Sequence, residues 1–143
     1  LIITEMQRNQ IKYIQYKKKL LAILISKKHK YKKVNFLTSK NLGFQAATMK
    51  RPKNEIIKKH THPNYSRKIM HTSEFLFIKS GLVNVRLFFK ISDKKPVKSF
   101  DLSSGDSIIF YGGCHEFKFK KTTSMLEIKQ GPYQEKKDKI YSK

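Results

Sequence analysis

Residues 74–90 read EFLFIKSGLVNVRLFFK, two short runs of β-forming residues separated by the turn pair Ser80-Gly81. In the first run Glu74, Leu76 and Ile78 fall on one face of a strand, because successive side chains point to opposite faces. Serine and glycine turn readily, and glycine accepts a positive φ angle without steric cost. The stretch therefore predicts two strands joined by a tight turn.

Most of the chain repeats this pattern of short β-like runs between turn residues. The predicted strands are Leu20–Ile25, Val34–Thr38, Phe44–Met49, Glu55–His62, Glu74–Lys79, Leu82–Lys90, Val97–Leu102, Ser107–Tyr111, Glu116–Lys120 and Ser124–Gln130. Only Glu5–Lys19 is long enough for a helix, and its apolar positions fit a helix and a strand equally loosely. We predict an all-β jelly-roll barrel over residues 20–143, because closure limits exposed strand edges, with an N-terminal extension over residues 1–19.

The chain is strongly basic, with a formal net charge of +22 over 143 residues. Nearly all of its cations are lysines, whereas sites that read bases or clamp phosphates usually rely on the planar fork of arginine. The lysines scatter over every region, and no motif with interleaved stacking aromatics accompanies them. We therefore read the charge as a solvated lysine surface and do not expect nucleic acid as a partner. Attraction of anionic small molecules is the functional alternative.

The sequence also constrains the setting of the protein. Its longest apolar run, Leu20–Ile25, is far shorter than the roughly 20 residues that span a bilayer, and no signal-peptide pattern surrounds it. The sole cysteine, Cys114, has no partner for an internal disulfide and suits a reducing compartment. We expect a cytoplasmic protein without a membrane span, and we consider a homodimer formed through sheet edges.

Three histidines and a carboxylate form the most informative pattern. His60 and His62 are two residues apart, so on a strand both would project from the same face. Glu74 opens the strand quoted above, and His115 precedes a run in which Phe117 lies on its face and charged residues lie on the other. His115 should therefore face the interior. Imidazole and carboxylate ligands suit one divalent transition metal, Fe, Mn, Ni, Zn or Cu, better than Ca or Mg.

The same residues carry a resemblance to the cupin family. His60-Thr61-His62, Glu74 and Gly81 resemble the first cupin motif, although residues 63–73 make its spacing longer than usual. Gly105-Asp106 followed by Gly113-Cys114-His115 looks like the second motif, although it lacks the usual proline near Tyr111 and is one residue short. The resemblance implies a double-stranded β-helix, the cupin form of the jelly roll, with a metal on the three histidines and the glutamate.

Longer phrases resemble a narrower group of small cupins, called WxcM-like or cupin-fold metalloproteins. These phrases are LLAILI, HTHPNYSRKIMHTSEFLFIKSG, LSSGDSIIFYGGCHEF and MLEIKQGPYQEKKDK. The resemblance implies a role beside bacterial surface-polysaccharide or sugar-modification enzymes. We expect a metal-dependent isomerase or epimerase acting on a sugar or nucleotide-sugar. The alternatives are an Fe(II) oxygenase and a metal-stabilised module that binds a sugar acid without catalysis.

Four further residues are candidates for contact with a substrate. Glu127 and Lys129 share one face of the last predicted strand, where they would act as acid, base or anion contact if that face borders the site. A solvated outer face is the alternative. Arg67 could clamp a phosphate or carboxylate from the loop after the paired histidines. His71 lies at the end of that loop, close to Glu74 in sequence.

Overall fold

The structure is a computed structural model that describes residues 10–142. Within these residues the fold is all-β and every strand pairing is antiparallel. The strands are β1 Ile11–Tyr16, β2 Lys19–Ile25, β3 Val34–Phe36, β4 Ala47–Met49, β5 Glu74–Ser80, β6 Leu82–Phe88, β7 Lys98–Ser103, β8 Ser107–Phe110, β9 Cys114–Phe119 and β10 Ser124–Lys129. One helical turn, α1 Glu135–Asp138, follows them.

Nearly all the predicted strands are confirmed, with ends that differ by a few residues. The prediction of a strand over Glu55–His62 is wrong: this segment is exposed and has no strand pairing. The Glu5–Lys19 stretch, left open between helix and strand, contains strand β1, while residues 5–9 lie outside the described residues.

The strands of the described chain form three separate sheets. A five-stranded sheet has the order β1-β2-β8-β5-β10, a three-stranded sheet has the order β7-β6-β9, and β3 pairs with β4. No sheet within residues 10–142 closes into a hydrogen-bonded cylinder. The all-β prediction is confirmed at the level of antiparallel sheets.

The chain divides into two compact units. One comprises the described residues up to His29 together with those from His71 onward, and it contains both larger sheets. The other comprises Lys30–Met70 and contains the β3–β4 hairpin. Buried side chains are concentrated in the first unit, whereas in the second only Leu37 and Thr48 are buried.

The core of the first unit lies between its two sheets. Leu76 and Ile78 of β5 and Ile108 of β8 come from the five-stranded sheet, and Val83 and Val85 of β6 come from the three-stranded sheet. All are at most 1% exposed. Alternation along each strand gives each sheet an apolar face, and burying two such faces against each other provides the main hydrophobic stabilisation.

Two glycines allow the turns that bring the strands into this arrangement. Gly81, between β5 and β6, has φ +102°, and Gly113, before β9, has φ +70°. A Cβ atom at Gly81 would clash with the Thr122 carbonyl oxygen, and one at Gly113 would clash with that of Phe88. Glycine is therefore required at both positions by backbone conformation and by space.

A carboxylate ties the β7–β8 turn to the segment after β2. Asp106 is buried, and its Oδ1 accepts a hydrogen bond of 2.9 Å from the backbone N–H of Lys27. Its Oδ2 accepts bonds from the backbone N–H and the hydroxyl of Ser103, at 2.9 and 3.1 Å. Asp106 therefore stabilises its own turn and ties that turn to a second segment.

Among residues 10–142, no helix combines the length and the apolar character that a bilayer crossing requires.

Candidate functional site

Glu74 and His115 come from opposite sheets of the first unit and meet at one end of its core. Glu74 is the first residue of β5, on the face that carries Leu76 and Ile78 into the core. His115 lies in β9, on the same face as Phe117, which packs against that core. The prediction that His115 faces the interior is confirmed. Strand alternation on two facing sheets therefore places both side chains in one half-buried site.

The two side chains are in direct contact. His115 Nε2 lies 3.1 Å from Glu74 Oε2, and the side chains are 27% and 13% exposed. The pKa of the Glu74 carboxyl lies below its ordinary value, first because His115 donates a hydrogen bond to it. Burial opposes this shift, and the positive charges of His115, Lys129 and Lys139 reinforce it. Glu74 is therefore held as a carboxylate.

Aromatic rings pack against the imidazole. The ring of Phe110 stacks on that of His115, with centroids 4.1 Å apart and planes 21° from parallel. Phe117 lies 5.1 Å from His115 between centroids. The stacked rings restrict the imidazole to one orientation and exclude water from one of its faces. The Glu74–His115 contact is therefore held in a preorganised position.

The last strand adds two charged groups to this face. β10 pairs with β5 in a register that sets Lys129 opposite Glu74 and Glu127 opposite Leu76. Residues directly opposite in an antiparallel pair share a face, so both side chains lie on the face that carries Glu74. The two residues therefore share the inner face, although Glu127 itself is exposed there. Leu126 and Ile128 lie on the outer face, about half exposed.

Lys129 has several neighbours in the site. Its Nζ lies 3.5 Å from Glu127 Oε1 and 5.0 Å from the centroid of the Tyr133 ring. The Lys129 side chain is 20% exposed and the Glu127 side chain is 40% exposed. Glu74, His115, Glu127 and Lys129 thus form a cluster of two carboxylates, one imidazole and one ammonium group, which we call the β5–β10 cluster.

His60 and His62 belong to the other unit, in the exposed segment that forms no strand. Their rings lie 5.4 Å apart in an edge-to-face arrangement, and His60 Nδ1 lies 2.9 Å from the carbonyl oxygen of Lys58. The two imidazoles are therefore neighbours, as predicted, although strand alternation is not what brings them together.

Two substrate candidates lie in exposed loops. The guanidinium carbon of Arg67 is 3.9 Å from the centroid of the Tyr65 ring, so this side chain stacks on an aromatic face within its own loop. His71 is exposed at a bend before β5. Cys114 is half-buried, and burial raises the pKa of its thiol.

Sequence reasoning missed two aromatic members of the site. Phe110 was assigned only to a strand, and Tyr133 was assigned no role. Alternation within β8 would have placed Phe110 on the same face as Ile108 and hence in the core. Tyr133 follows β10, and its position beside Lys129 depends on how the chain turns after that strand.

No group of three or more histidine, cysteine, aspartate or glutamate side chains across residues 10–142 is arranged to hold a metal ion. The expected ligands occur as two pairs, Glu74 with His115 and His60 with His62. Comparison of the chain with protein-family models, with curated proteins and with solved structures gives no match.

Proposed function

We propose that this chain is a small cupin-type jelly roll that binds one divalent transition metal and acts on a sugar or nucleotide-sugar. The observation that carries the proposal is the contact between Glu74 and His115, 3.1 Å apart in a half-buried aromatic setting. These residues are distant in sequence, and the cupin resemblance predicts both as ligands of the same ion.

The strand pairings support the jelly roll. β6 pairs with β7 and β5 pairs with β8, so the pairs are nested around the β6–β7 connection. The chain then returns, with β9 beside β6 and β10 beside β5. A jelly roll is a long antiparallel ribbon of strand pairs rolled up so that successive pairs alternate between two facing sheets, and the nested pairs fit this arrangement.

The geometry of Glu74 and His115 fits two ligands of one metal ion. Transition-metal bonds to imidazole nitrogen and carboxylate oxygen are about 2.1 Å long, so ligands at tetrahedral or octahedral angles lie roughly 3.0–3.4 Å apart. The observed separation of 3.1 Å falls in that range. His60 and His62 would complete a set of three imidazoles and one carboxylate. Such an ion would polarise a substrate carbonyl or hydroxyl.

The other members of the β5–β10 cluster would act on the substrate directly. Lys129 would attract a carboxylate or phosphate group, because its ammonium lies in a half-buried setting where charge is less screened. Glu127 is more exposed and would exchange a proton with the substrate, which an isomerase or epimerase requires. Arg67 and His71 would be secondary contacts.

A second candidate is a non-catalytic module that binds a sugar acid. The observation that favours it is the Lys129 ammonium beside the Tyr133 ring, since a cation and an aromatic face together suit an acidic sugar. An Fe(II) oxygenase is the other enzymatic alternative. Turnover of nucleotide-sugars by the metal-loaded protein would distinguish the enzyme from the binding module.

Metal analysis tests the proposal. We expect purified protein, reconstituted in turn with Fe, Mn, Ni, Zn and Cu, to hold about one equivalent of a preferred ion. His115→Ala and His62→Ala should each reduce the metal content to a small fraction of the wild-type value. His71→Ala is the matched control, because it removes an exposed loop imidazole, and it should retain the metal.

Two results would contradict the metal proposal. Less than about half an equivalent of every ion after reconstitution would argue against a site. Full occupancy in His62→Ala would show that the exposed histidine pair is not part of it. In the first case the Glu74–His115 contact would remain as a metal-independent hydrogen-bonded pair.

A further inference from the structure

We propose that the tip of the β1–β2 hairpin is a docking site for the phosphate backbone of nucleic acid. The tip comprises Tyr16, Lys17, Lys18 and Lys19, and Phe89 from the end of β6 packs against it. This basic tip lies in the same unit as the β5–β10 cluster but takes no part in that cluster. The proposal is independent of the proposed function.

The first observation is that lysines occupy a strained turn. Tyr16 pairs with Lys19, which leaves Lys17 and Lys18 as a two-residue loop with φ angles of 48° and 61°. A hairpin loop with two positive φ angles strongly prefers Asn-Gly, because side chains that are not Asn or Gly are disfavoured in the left-handed region. Strain of this kind, observed at an exposed turn, points to a function that needs the lysine side chains.

The second observation is that aromatic rings hold the ammonium groups together. Tyr16 and Phe89 lie 5.1 Å apart between ring centroids. Lys17 Nζ is 5.5 Å from the Tyr16 centroid and 5.7 Å from that of Phe89, and Lys19 Nζ is 5.6 Å from the Phe89 centroid. Two cations therefore share one ring, although each repels the other.

The third observation is that no ion pair among residues 10–142 neutralises these charges. In the part of the chain that the structure describes, the ion pairs use other cations, and no acidic side chain is in salt-bridge contact with Lys17, Lys18 or Lys19. All three lysines are exposed. Three unpaired positive charges on adjacent residues form a site for an anion that carries several charges at short intervals.

The setting of the rings favours nucleic acid over a membrane surface. Tyr16 and Phe89 are half-buried against each other with ammonium groups beside them, so the tip presents positive charge rather than an apolar surface. Contact would therefore be with phosphates and insensitive to sequence. The sequence did not indicate this cluster of rings and lysines, because Phe89 lies far from the lysines along the chain.

Replacing Lys17-Lys18 by Asn-Gly tests the proposal without harming the fold. The double variant K17N/K18G supplies the residues that this turn prefers, so its Tm should equal or exceed that of the wild type. Its affinity for a fluorescent oligo-dT should fall roughly tenfold, measured by anisotropy. The slope of log K against log salt should become shallower by about 1.4, since each single-strand phosphate contact contributes roughly 0.7.

K58N/K59G is the matched control, because it makes the same replacements at two exposed lysines and removes the same charge. It should weaken oligo-dT binding less than about twofold. Equal losses in the two variants would overturn the proposal, since net charge alone would then explain binding. Unchanged binding in K17N/K18G would also overturn it. So would loss of binding to vesicles containing phosphatidylserine while oligo-dT binding is retained.

Discussion

Strand β5 and the segment Glu55–His62 are both rich in β-forming residues, but β5 is a packed strand and the segment is exposed and forms no strand. In β5, Leu76 and Ile78 alternate with residues of the opposite face, and neighbouring strands pair with both of its edges. In the other segment the apolar residues Ile56 and Ile57 are adjacent, and they are 84% and 57% exposed. A β-forming composition therefore makes a strand only where alternation gives one face to a core and a neighbour satisfies the backbone.

The comparison extends to the site. Glu74 and His115 lie on strands of two different sheets, each hydrogen-bonded to its neighbours, and they are held by Phe110 and by the core below them. His60 and His62 lie in the exposed segment, where their rings contact each other and His60 contacts the Lys58 carbonyl oxygen. Half of the expected ligand set is thus preorganised by packing, whereas the other half gains no such support from a strand.

The largest expected difference in stability comes from truncating one apolar side chain in each of the two regions. Leu76→Ala should lower the free energy of unfolding by about 2–5 kcal/mol, because Leu76 is 1% exposed and its removal leaves a cavity. Ile56→Ala should change it by less than about 0.5 kcal/mol, since Ile56 is 84% exposed. Urea denaturation measures both. Equal losses would mean that the Glu55–His62 segment packs as tightly as β5.

The dependence of stability on alkaline pH gives a second comparison, between a buried tyrosine of the first unit and an exposed tyrosine of the other. Burial raises the pKa of Tyr111 to about 12, with a smaller contribution from Tyr13, whereas an unfolded chain has tyrosine pKa values near 10. Between about pH 10 and 12 the unfolded state therefore loses a proton that the folded state keeps, and stability falls as pH rises. This term should amount to roughly 2–3 kcal/mol across that window.

Tyr111→Phe should remove this term, so its stability should fall less steeply than that of the wild type over the same pH range. Tyr65, which is 64% exposed in the other unit, gives the matched variant Tyr65→Phe. Its pH dependence should follow that of the wild type. Identical slopes for all three proteins would show that Tyr111 is not protected by burial.

The smallest expected difference in folding free energy is between removing a buried carboxylate and removing an exposed one. Asp106→Ala removes an acceptor for three hydrogen bonds and should cost about 1–2 kcal/mol of folding free energy. Glu55→Ala breaks an ion pair of 2.9 Å with Arg51, four residues away, and should cost less than about 0.5 kcal/mol. Thermal unfolding of the two variants measures the difference. A larger loss for Glu55→Ala would reverse the contrast.

Much of the fold was predictable because short-range patterns carry it. Alternation in β5, β6 and β10 predicted strands with nearly correct ends, and the glycine of the Ser80-Gly81 turn has the positive φ expected of it. Alternation also predicted that His115 faces inward. These features depend on neighbours along the chain, which the sequence displays directly.

The rest depended on contacts between distant residues. Alternation placed Glu127 and Lys129 on one face of β10, but only the register with β5 showed that this face carries Glu74. Likewise, only the packed structure brings Phe89 to Lys17 and Phe110 to His115. By itself the sequence determined most of the strands and their turns, because these follow from local chemistry. The tertiary structure decided which face meets which, because register and sheet packing depend on the whole core.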